Sequence, residues 1–436
     1  MNVNTMKKNV LIVSYSYPPA NDPAAQRPYA IAKYLNRDKF NITVLTCGNQ
    51  DSSLGFDDSF NELLENVTLI KIDAFLGNKV SSMRDDSPLD KTPSFKSKMK
   101  LKAAKIAASI IIPDKAILWY PAVRKYIQTN FESFKSVDYI YTTSPFFTNH
   151  IIGGFLNKKV PNATWVVDIR DFHYVKNIEF NKGLKRYINK KLEYSTLKNA
   201  DKIVFISNAM SEVYQGYYPD QVHKMCVVYN GFDLEDFKDI TVAPVHNKKM
   251  SIVYTGSFYG GIRSPYPLFE LLDEAINKGV VGLDEIEVLI AGNLDNDIQD
   301  QIKKYASGAC LNFLGRKSRK EVVALLTQST LLWLIVSERI THYTGVPLKM
   351  YEYMAARRPI LNFAPDQSEP SFIIENNNLG WNIDIENKQP SEQLEMFTKI
   401  VKSFRSGQLA EPLSEEILSK YNREAQTELI EKILLE

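Results

Sequence analysis

Residues 343–360, YTGVPLKMYEYMAARRPI, combine a Gly-Val-Pro turn with a helical pattern that carries a lysine and a glutamate. Pro347 is predicted at the first helical position, where its missing N–H and fixed φ are favourable. The free amides of Leu348 and Lys349, the helix dipole and the lysine charge would then form an anion site. Glu352 shares a face with Lys349, and its carboxylate, which only accepts hydrogen bonds, would suit the paired hydroxyls of a ribose. A surface Lys–Glu pair is the alternative interpretation.

Three further segments place ligand-competent residues directly after predicted strands: TGSFYGGIRSP (255–265), AGNLDND (291–297) and FLGRKS (313–318). The glycines of the first could present several N–H groups to an anion, with Arg263 as a cation. Gly292 allows close approach, and the Gly315–Arg316 turn could contact a flat base edge. Ordinary βα turns are the alternative for each. Because ligands of open α/β sheets bind at the carboxyl ends of strands, four such ends favour a nucleotide diphosphate site.

A D-x-D pair, Asp295 and Asp297, superficially resembles a metal site. Such pairs are common in polar loops, so no metal site is predicted.

The elements that must position these residues follow an α/β pattern. In the first half, apolar strand candidates alternate with helical stretches; they lie at 9–15, 42–47, 67–72, 138–143, 164–168, 202–206 and 226–229. Several are apolar throughout, as expected when helices cover both faces of a parallel sheet. Residues 1–234 are therefore predicted to form a doubly wound, Rossmann-like domain.

The pattern restarts after a polar stretch, 233–250, that is predicted to be a linker. Further strand candidates, at 250–256, 287–292, 311–315, 331–336 and 359–363, predict a second Rossmann-like parallel-sheet domain over 250–412. Residues 414–436 have the pattern of one long amphipathic helix beyond that domain. Two similar α/β domains facing a central cleft are the expected architecture.

The composition of the chain is that of an ordinary globular protein, and it excludes few functions. The 436 residues are 44% hydrophobic and carry a net charge of +2, which gives no indication of a nucleic-acid partner. Three scattered cysteines predict neither a disulfide framework nor a metal site. The basic and then apolar start is predicted to be a first strand rather than a signal peptide, and no run reaches the length of a membrane span. A cytoplasmic protein is expected.

At these motifs the sequence resembles the retaining GT-B glycosyltransferases, specifically the GT4-like group that builds bacterial surface polysaccharides. GVPLKMYEYMAARRPI resembles the group's P-x-K-x-x-E-Y-x-A-x-x-x-P segment, and YPPANDPAAQRPYAIAKYL (17–35) resembles a Y-P-P form found in one branch. TTSPFFTNHIIG, WVVDIRDFH, FISNAM and NGFD follow in the expected order. The resemblance runs from about residue 8 to the C-terminus.

The resemblance implies that the second domain holds a nucleotide diphosphate sugar, with a UDP-sugar as the expected donor. Arg263 and Lys349 would stabilise the leaving diphosphate; the implied donor-binding residues are Gly256, Ser257, Gly292, Gly315, Arg316, Thr344, Gly345, Val346, Pro347, Leu348 and Glu352. The resemblance also implies that neither a metal nor another cofactor is required. The C-terminal helix, 413–436, would cross back to the N-terminal domain.

Two departures from the family pattern concern the donor. Eight residues before Glu352, where the group has a glutamate that faces the donor sugar, this chain has Thr344. The contact would pass to another group, such as Thr344 or the amide of Gly345. After Gly256 the family often has Gly-Arg and then lysine, whereas here Ser257 replaces the arginine and Arg263 lies near the lysine position.

The first domain is expected to bind the acceptor, a glycan or lipid-linked glycan. Asp168 aligns with a histidine that many relatives place near the transferring sugar, so the resemblance implies a catalytic position for it. Acceptor contacts are expected from Asn21, Arg27, Ser144, Arg170 and Asp171. Helix capping by Asp171 and pairing of Arg170 with an aspartate are the alternatives. His150 and His173 are interpreted as structural.

Residues 91–113, KTPSFKSKMKLKAAKIAASIIIP, place six lysines beside apolar side chains. Such a segment could lie on an anionic membrane surface, or it could be a solvated helix with a charged face. Membrane contact would place the protein at the inner face of the membrane, where a lipid-linked acceptor would be reached.

Two other functions are compatible with the sequence. A UDP-sugar epimerase shares the GT-B architecture, and a non-catalytic glycan-assembly or glycan-binding protein could have lost the first glutamate. The Y-P-P, NGFD and P-x-K-x-x-E-Y set favours the transferase, an enzyme of the hexosyl-transferring EC 2.4 class.

Overall fold

The computed structural model describes residues 6–20, 22–50, 64–75, 111–174, 183–238, 242, 247–387, 389–410 and 412–436. The chain divides into two compact units. The first comprises Met1–Ile206, Ser211–Val228 and Thr427–Glu436, and the second comprises Ser207–Met210 and Tyr229–Gln426.

The first unit is built on a seven-stranded parallel sheet in the order β3-β2-β1-β4-β5-β6-β7. Its strands are β1 Lys8–Val13, β2 Phe40–Cys47, β3 Val67–Ile72, β4 Tyr139–Thr143, β5 Thr164–Ile169, β6 Lys202–Phe205 and β7 Met225–Val227. The order reverses between β1 and β4, which pair in register from Val10 opposite Tyr139. This is the doubly wound arrangement, and it confirms the predicted Rossmann-like sheet.

The second unit has a six-stranded parallel sheet in the order β10-β9-β8-β11-β12-β13. Its strands are β8 Met250–Ser257, β9 Ile286–Asn293, β10 Leu311–Gly315, β11 Leu331–Ile335, β12 Ile360–Ala364 and β13 Gly380–Asp384. Sequence patterns located five of these and missed β13, GWNID, because its glycine, asparagine and aspartate interrupt the apolar run. The second parallel sheet is confirmed, so the predicted fold class is correct.

Helices flank both sheets. In chain order they are α1 Pro23–Tyr34, α2 Tyr120–Thr129, α3 Thr148–Lys159, α4 Gly183–Asn199, α5 Asn208–Tyr217, α6 Tyr266–Asn277, α7 Asn296–Ile302, α8 Arg319–Gln328, α9 Ile340–Tyr343, α10 Leu348–Ala356, α11 Glu369–Asn376, α12 Pro390–Arg405, α13 Glu416–Tyr421 and α14 Arg423–Leu435. Short 3₁₀ turns occupy Lys115–Leu118, Phe131–Phe134, Pro219–Lys224, Leu234–Phe237, Leu283–Glu285, Ala306–Cys310 and Gln408–Ala410.

The cores lie between sheet and helices. In the second unit, the buried face of α10 packs Met350, Tyr353 and Met354 against Leu332 and Leu334 of β11 in one apolar cluster. In the first unit, Ile430 and Leu434 of α14 join the cluster that contains Ile12 and Val44. Burial of these side chains is the main driving force that fixes each helix on its sheet.

The prediction of one continuous helix over 414–436 is wrong. Asn422 has extended backbone angles, φ −79° and ψ 156°, which separate α13 from α14. Its backbone bridges to Phe232, and its side chain accepts a hydrogen bond from the Ala425 N–H at 2.8 Å. The asparagine therefore caps a new helix instead of continuing the preceding one.

Candidate functional site

Two facing glycines shape the carboxyl ends of β8 and β9. Gly256 and Gly292 are paired neighbours in the sheet. Gly292 has φ +147°, and a Cβ there would lie 2.0 Å from the Gly256 carbonyl oxygen. Because no side chain at position 292 fits that gap, the two strand ends can approach this closely only with glycine there. Gly256 has φ +116°, and a Cβ on it would lie 3.0 Å from the Lys349 Nζ, so the lysine head lies directly against this strand end.

The helix that carries Lys349 begins one residue later than predicted. Pro347 has φ −59° and ψ 137°, so it is the N-cap rather than the first helical residue, and α10 starts at Leu348. The amides of Leu348 and Lys349 therefore belong to the first turn, where intrahelical acceptors are lacking. The helix ends at Ala356 because Arg357 adopts the left-handed conformation, with φ +55°.

The Arg-Arg-Pro that follows α10 has a structural role. The Arg358 side chain is 1% exposed, and its Nε and Nη2 donate to the Thr327 carbonyl at 2.9 and 2.8 Å. Arg358 thus ties the end of α10 to the last turn of α8, whose C-terminal carbonyls need donors.

The Lys349 ammonium is buried without a hydrogen-bond partner among the described residues. Its Nζ lies 3.8 Å from the centroid of the Tyr254 ring. Burial lowers the pKa of Lys349 well below 10.5, and the charge of Arg263 lowers it further. The Glu352 carboxylate acts in the opposite direction and raises this pKa. A cation–π contact compensates only part of the cost of removing an ammonium from water, so an anion placed beside Lys349 would stabilise its charged form.

The charge of Arg263 acts on Lys349, and the charges of Arg263 and Arg339 both act on His342. The Cζ atom of Arg263 lies 4.8 Å from the Tyr259 ring centroid. The pKa of His342 is lowered chiefly by burial and, to a smaller extent, by the charge of Arg263. Arg339 acts on the same histidine, whose Nδ1 lies 2.6 Å from the Ser337 hydroxyl. Within the described ranges, neither Arg263 nor Arg339 forms a salt bridge. The structure therefore places Arg263 and Lys349, predicted from separate segments, in one positive region.

Glu352 pairs with a residue that the sequence did not indicate. Its Oε1 accepts from Arg319 Nη1 at 2.5 Å, while Arg319 Nη2 donates to Asp236 Oδ2 at 2.7 Å. The alternative of a Lys349–Glu352 surface pair is therefore wrong. Arg319 begins α8 and Asp236 lies in the turn 234–237, so three separate elements fix the carboxylate.

The other strand-end residues have different surroundings. The Ser257 hydroxyl accepts from the Tyr259 N–H at 3.2 Å, and the Ser257 carbonyl accepts from the Tyr254 hydroxyl at 2.9 Å. Arg316 is exposed and donates from Nε to Asn293 Oδ1 at 3.0 Å, which joins the ends of β9 and β10. Gly315 has φ +67° with open space beside it.

The turn before α10 is mostly closed. Thr344 is 1% exposed, and its hydroxyl donates to the Ile340 carbonyl. Val346 lies in the apolar core with Met350, whereas Gly345 and Leu348 are half-buried. A side-chain contact from Thr344 to a ligand would require its present hydrogen bond to break, so the backbone of Gly345 is the more accessible group.

In the first unit, Asp168 and Arg27 form a buried ion pair. Arg27 Nε donates to Oδ2 at 2.9 Å and Nη2 to Oδ1 at 3.0 Å, and the Thr143 hydroxyl adds a 2.6 Å bond. The two side chains are 0% and 5% exposed, respectively. Burial alone would lower the pKa of Arg27, but the Asp168 carboxylate raises it. Both carboxylate oxygens are therefore occupied, and the catalytic position of Asp168 stays a prediction.

Arg170 and Ser144 lie beside this pair. The Arg170 N–H donates to the Ser144 hydroxyl at 2.7 Å, and Nη1 and Nη2 donate to the carbonyls of Ala24 and Pro23 at 2.8 and 3.0 Å. The Arg170 guanidinium therefore bonds to backbone carbonyls, and the alternative of an Arg170–aspartate pair is not found among the described residues. Asp171 is exposed, and Asn21 lies outside the described residues.

The two histidines have structural surroundings, as interpreted. His150 Nδ1 lies 2.8 Å from the Thr142 hydroxyl, and burial lowers its pKa to about 4. The His173 ring stacks on Phe147 with centroids 3.8 Å apart, and burial lowers its pKa to about 3. Both are neutral at pH 7.

Sequence patterns missed Tyr254, Arg319 and His342. Tyr254 lies inside an apolar strand run, and Arg319 occurs in a basic turn. His342 lies in a segment with only a weak secondary-structure pattern. No local signal could have found them, because their relation to Lys349, Glu352 and Arg263 arises from packing between elements.

In the part of the chain that the structure describes, no cluster of three or more His, Cys, Asp or Glu residues could hold a metal ion. Asp295 instead precedes α7 as its N-cap. Across the described helices, none combines the length and the apolar character that a membrane crossing requires. The segment 91–113 lies almost entirely outside the described residues, which resume at residue 111.

The two parallel sheets, with ligand-competent residues at the strand ends of the second unit, define the GT-B fold. Known structures that share it include sucrose-phosphate synthase from Thermosynechococcus elongatus, at 14% identity, 98% coverage of both chains and a TM-score of 0.60. The apo lipopolysaccharide outer core galactosyltransferase WaaB matches at 13% identity, 98% and 99% coverage and a TM-score of 0.61. A Staphylococcus aureus TarM variant in complex with fondaparinux, α-GlcNAc-glycerol and UDP matches at 13% identity, 98% and 100% coverage and a TM-score of 0.57. At these identities the likeness shows the fold.

No protein-family model and no curated protein sequence matches the chain.

Proposed function

We propose that this protein is a retaining glycosyltransferase. It moves a sugar from a nucleotide diphosphate sugar, with a UDP-sugar as the expected donor, to a growing surface polysaccharide or lipid-linked glycan. The observation that carries the proposal is the buried, unpartnered Lys349 ammonium against Gly256, at the first turn of α10. An anion at that point would receive a full charge and the helix amides together.

The diphosphate is the group that this site suits best. Glycosyl transfer builds negative charge on the leaving diphosphate, and fixed donors in a site shielded from water stabilise that charge strongly. Lys349, the amides of Leu348 and Lys349, and Arg263 supply them. Attack from the same face, with the leaving phosphate accepting the acceptor proton, would need neither a protein nucleophile nor a metal.

The remaining donor contacts follow from the arrangement around the helix. Glu352, held by Arg319, would accept from the ribose hydroxyls, and the turn of Gly315 and Arg316 would contact the base. The Thr344 hydroxyl is already bonded to Ile340, so we assign the sugar contact of the missing glutamate to the amide of Gly345. The UDP complex of the TarM variant, a protein of the same fold, supports a uridine nucleotide.

The acceptor is assigned to the first unit. The first unit would bind the glycan acceptor near Ser144, Arg170 and Asp171, which follow β4 and β5. A cytoplasmic position at the inner face of the membrane, with contact through 91–113, would suit a lipid-linked acceptor.

A panel of UDP-, GDP- and TDP-sugars tests the proposal. The purified chain is incubated with each donor, and nucleotide release and the sugar product are followed. Hydrolysis or transfer with retained anomeric configuration is expected for a UDP-sugar. Interconversion of the sugar without nucleotide release would indicate an epimerase, and binding without turnover would indicate a non-catalytic assembly protein. Either result would refute a transferase.

Removing the partner of Glu352 should weaken donor binding. In Arg319→Gln the Glu352 carboxylate loses a charge-assisted hydrogen bond, so the donor KM should rise about tenfold with kcat changed by less than about threefold. Steady-state kinetics with varied donor concentration measure both constants. Lys320→Gln, at the exposed adjacent position, is the matched control and should leave KM unchanged. An unchanged KM in Arg319→Gln would show that Arg319 does not position Glu352.

A further inference from the structure

Helix α4 exposes one continuous stripe of apolar and basic side chains. The members recur at spacings of three and four residues and so share one face of the helix: Leu184, Tyr187, Lys191, Tyr194 and Lys198. The three apolar members are 72%, 55% and 40% exposed. The opposite face buries Asn189, Glu193, Thr196 and Leu197. The stripe is therefore a surface feature and not part of the core.

The helix is also strongly basic. It carries five cations, Lys185, Arg186, Lys190, Lys191 and Lys198. Among the described residues, none of the five forms a salt bridge with a carboxylate. Some contact rings instead: Lys191 Nζ lies 4.5 Å from the Tyr187 centroid, and Arg186 and Lys190 lie over Tyr174.

The acid of this helix does not offset those charges at the surface. Glu193 is fully buried, and it accepts from the Tyr174 N–H at 2.9 Å and from the Tyr214 and Tyr218 hydroxyls at 3.0 and 2.7 Å. Burial raises the pKa of Glu193 to about 7, and these hydrogen bonds oppose the shift. The exposed face of α4 consequently carries only positive charge.

We propose that the exposed face of α4 binds the surface of an anionic lipid membrane. Leucine and tyrosine side chains partition into the head-group region, and lysines beside them extend their ammonium groups to lipid phosphates. Each lysine near an anionic surface adds favourable electrostatic energy. A nucleic-acid surface would use the cations but would leave Leu184, the most exposed member, without a partner. A membrane surface therefore accounts for both the apolar and the basic side chains of the stripe.

This surface is distinct from the segment 91–113 and does not depend on the proposed transferase activity. Membrane binding is measured with vesicles alone, so it can be tested even if the protein shows no transferase activity.

Co-sedimentation of the full chain with vesicles tests the proposal. We expect binding to phosphatidylcholine vesicles that contain phosphatidylglycerol, little binding to phosphatidylcholine alone, and weakening by salt. The triple variant Lys190→Gln/Lys191→Gln/Lys198→Gln should lose about tenfold or more in vesicle affinity. Leu184→Ser/Tyr187→Ser should lose a comparable factor without a charge change.

The matched control removes three exposed lysines of the second unit. Lys248→Gln/Lys249→Gln/Lys278→Gln has the same net charge as the first variant and should keep its affinity within about twofold. Thermal melts verify that every variant is folded. Vesicle affinity equal to wild type in both α4 variants would overturn the proposal, as would the absence of vesicle binding by the wild type. If the α4 variants lost binding to single-stranded RNA but kept binding to vesicles, the exposed face of α4 would instead be assigned to nucleic acid.

Discussion

Replacing Lys349 with methionine should make the protein more stable and at least about a hundredfold less active. The stability change follows from the free protein, in which the ammonium is buried without a hydrogen-bond partner in the described structure. Methionine fills a similar volume beside Tyr254 without the desolvation cost, so the free energy of unfolding should rise by about 1–2 kcal/mol. The loss of activity follows from the proposed role, because no other buried cation lies against Gly256 among the described residues.

Thermal or urea unfolding measures the first effect, and single-turnover kinetics with a saturating donor measure the second. Lys278→Met removes an exposed lysine of the same unit and should change neither quantity appreciably. A variant that loses activity and stability together would show that Lys349 is structural. A variant that keeps its activity would remove Lys349 from the donor site.

Lys349 also determines how the stability of the protein and its affinity for the donor should depend on pH. Burial lowers its pKa well below 10.5, so between the folded value and the unfolded value of about 10.4 the unfolded chain binds more protons. The contribution of Lys349 to stability therefore rises with pH across that window, and Lys349→Met should remove the rise. A bound diphosphate would raise the pKa again, so donor binding should take up a proton and weaken as pH increases. Calorimetry in buffers of different ionisation enthalpy measures the uptake.

The substitution Asp168→Asn should destabilise the protein by about 3 kcal/mol. The pair with Arg27 is buried, and the variant leaves the guanidinium charge without its counter-ion. Because both carboxylate oxygens already accept bonds from Arg27 and Thr143, we expect kcat at saturating substrates to change by less than about tenfold. Unfolding curves and kinetics, both at a temperature where the variant is folded, separate the two effects.

Asp138→Asn is the control for this prediction. Asp138 pairs with Lys8 at 3.0 Å, but the two side chains are 30% and 52% exposed, so the cost should be about 0.5 kcal/mol from the ion pair. A hundredfold fall in kcat for folded Asp168→Asn would instead support the catalytic position that the resemblance implied.

The strand ends show why the sequence located much of the candidate donor site. Continuous apolar runs identify buried parallel strands, and ligands of such sheets bind at the carboxyl ends. From the sequence alone, this reasoning places Gly256, Gly292 and Lys349 in one region. It missed β13, whose polar residues hide its period, and it merged α13 with α14, because an asparagine between two helical patterns gives only a weak stop signal.

The sequence by itself determined the two parallel sheets, the glycines at their ends and the lysine at the start of α10, since these depend on local pattern and backbone geometry. Only the tertiary structure decided what those side chains face. It placed Lys349 over Tyr254, paired Glu352 with Arg319 and enclosed Asp168 with Arg27. Each of these contacts joins residues far apart in the chain, and such pairing depends on how helices pack on a sheet, which no local spacing encodes.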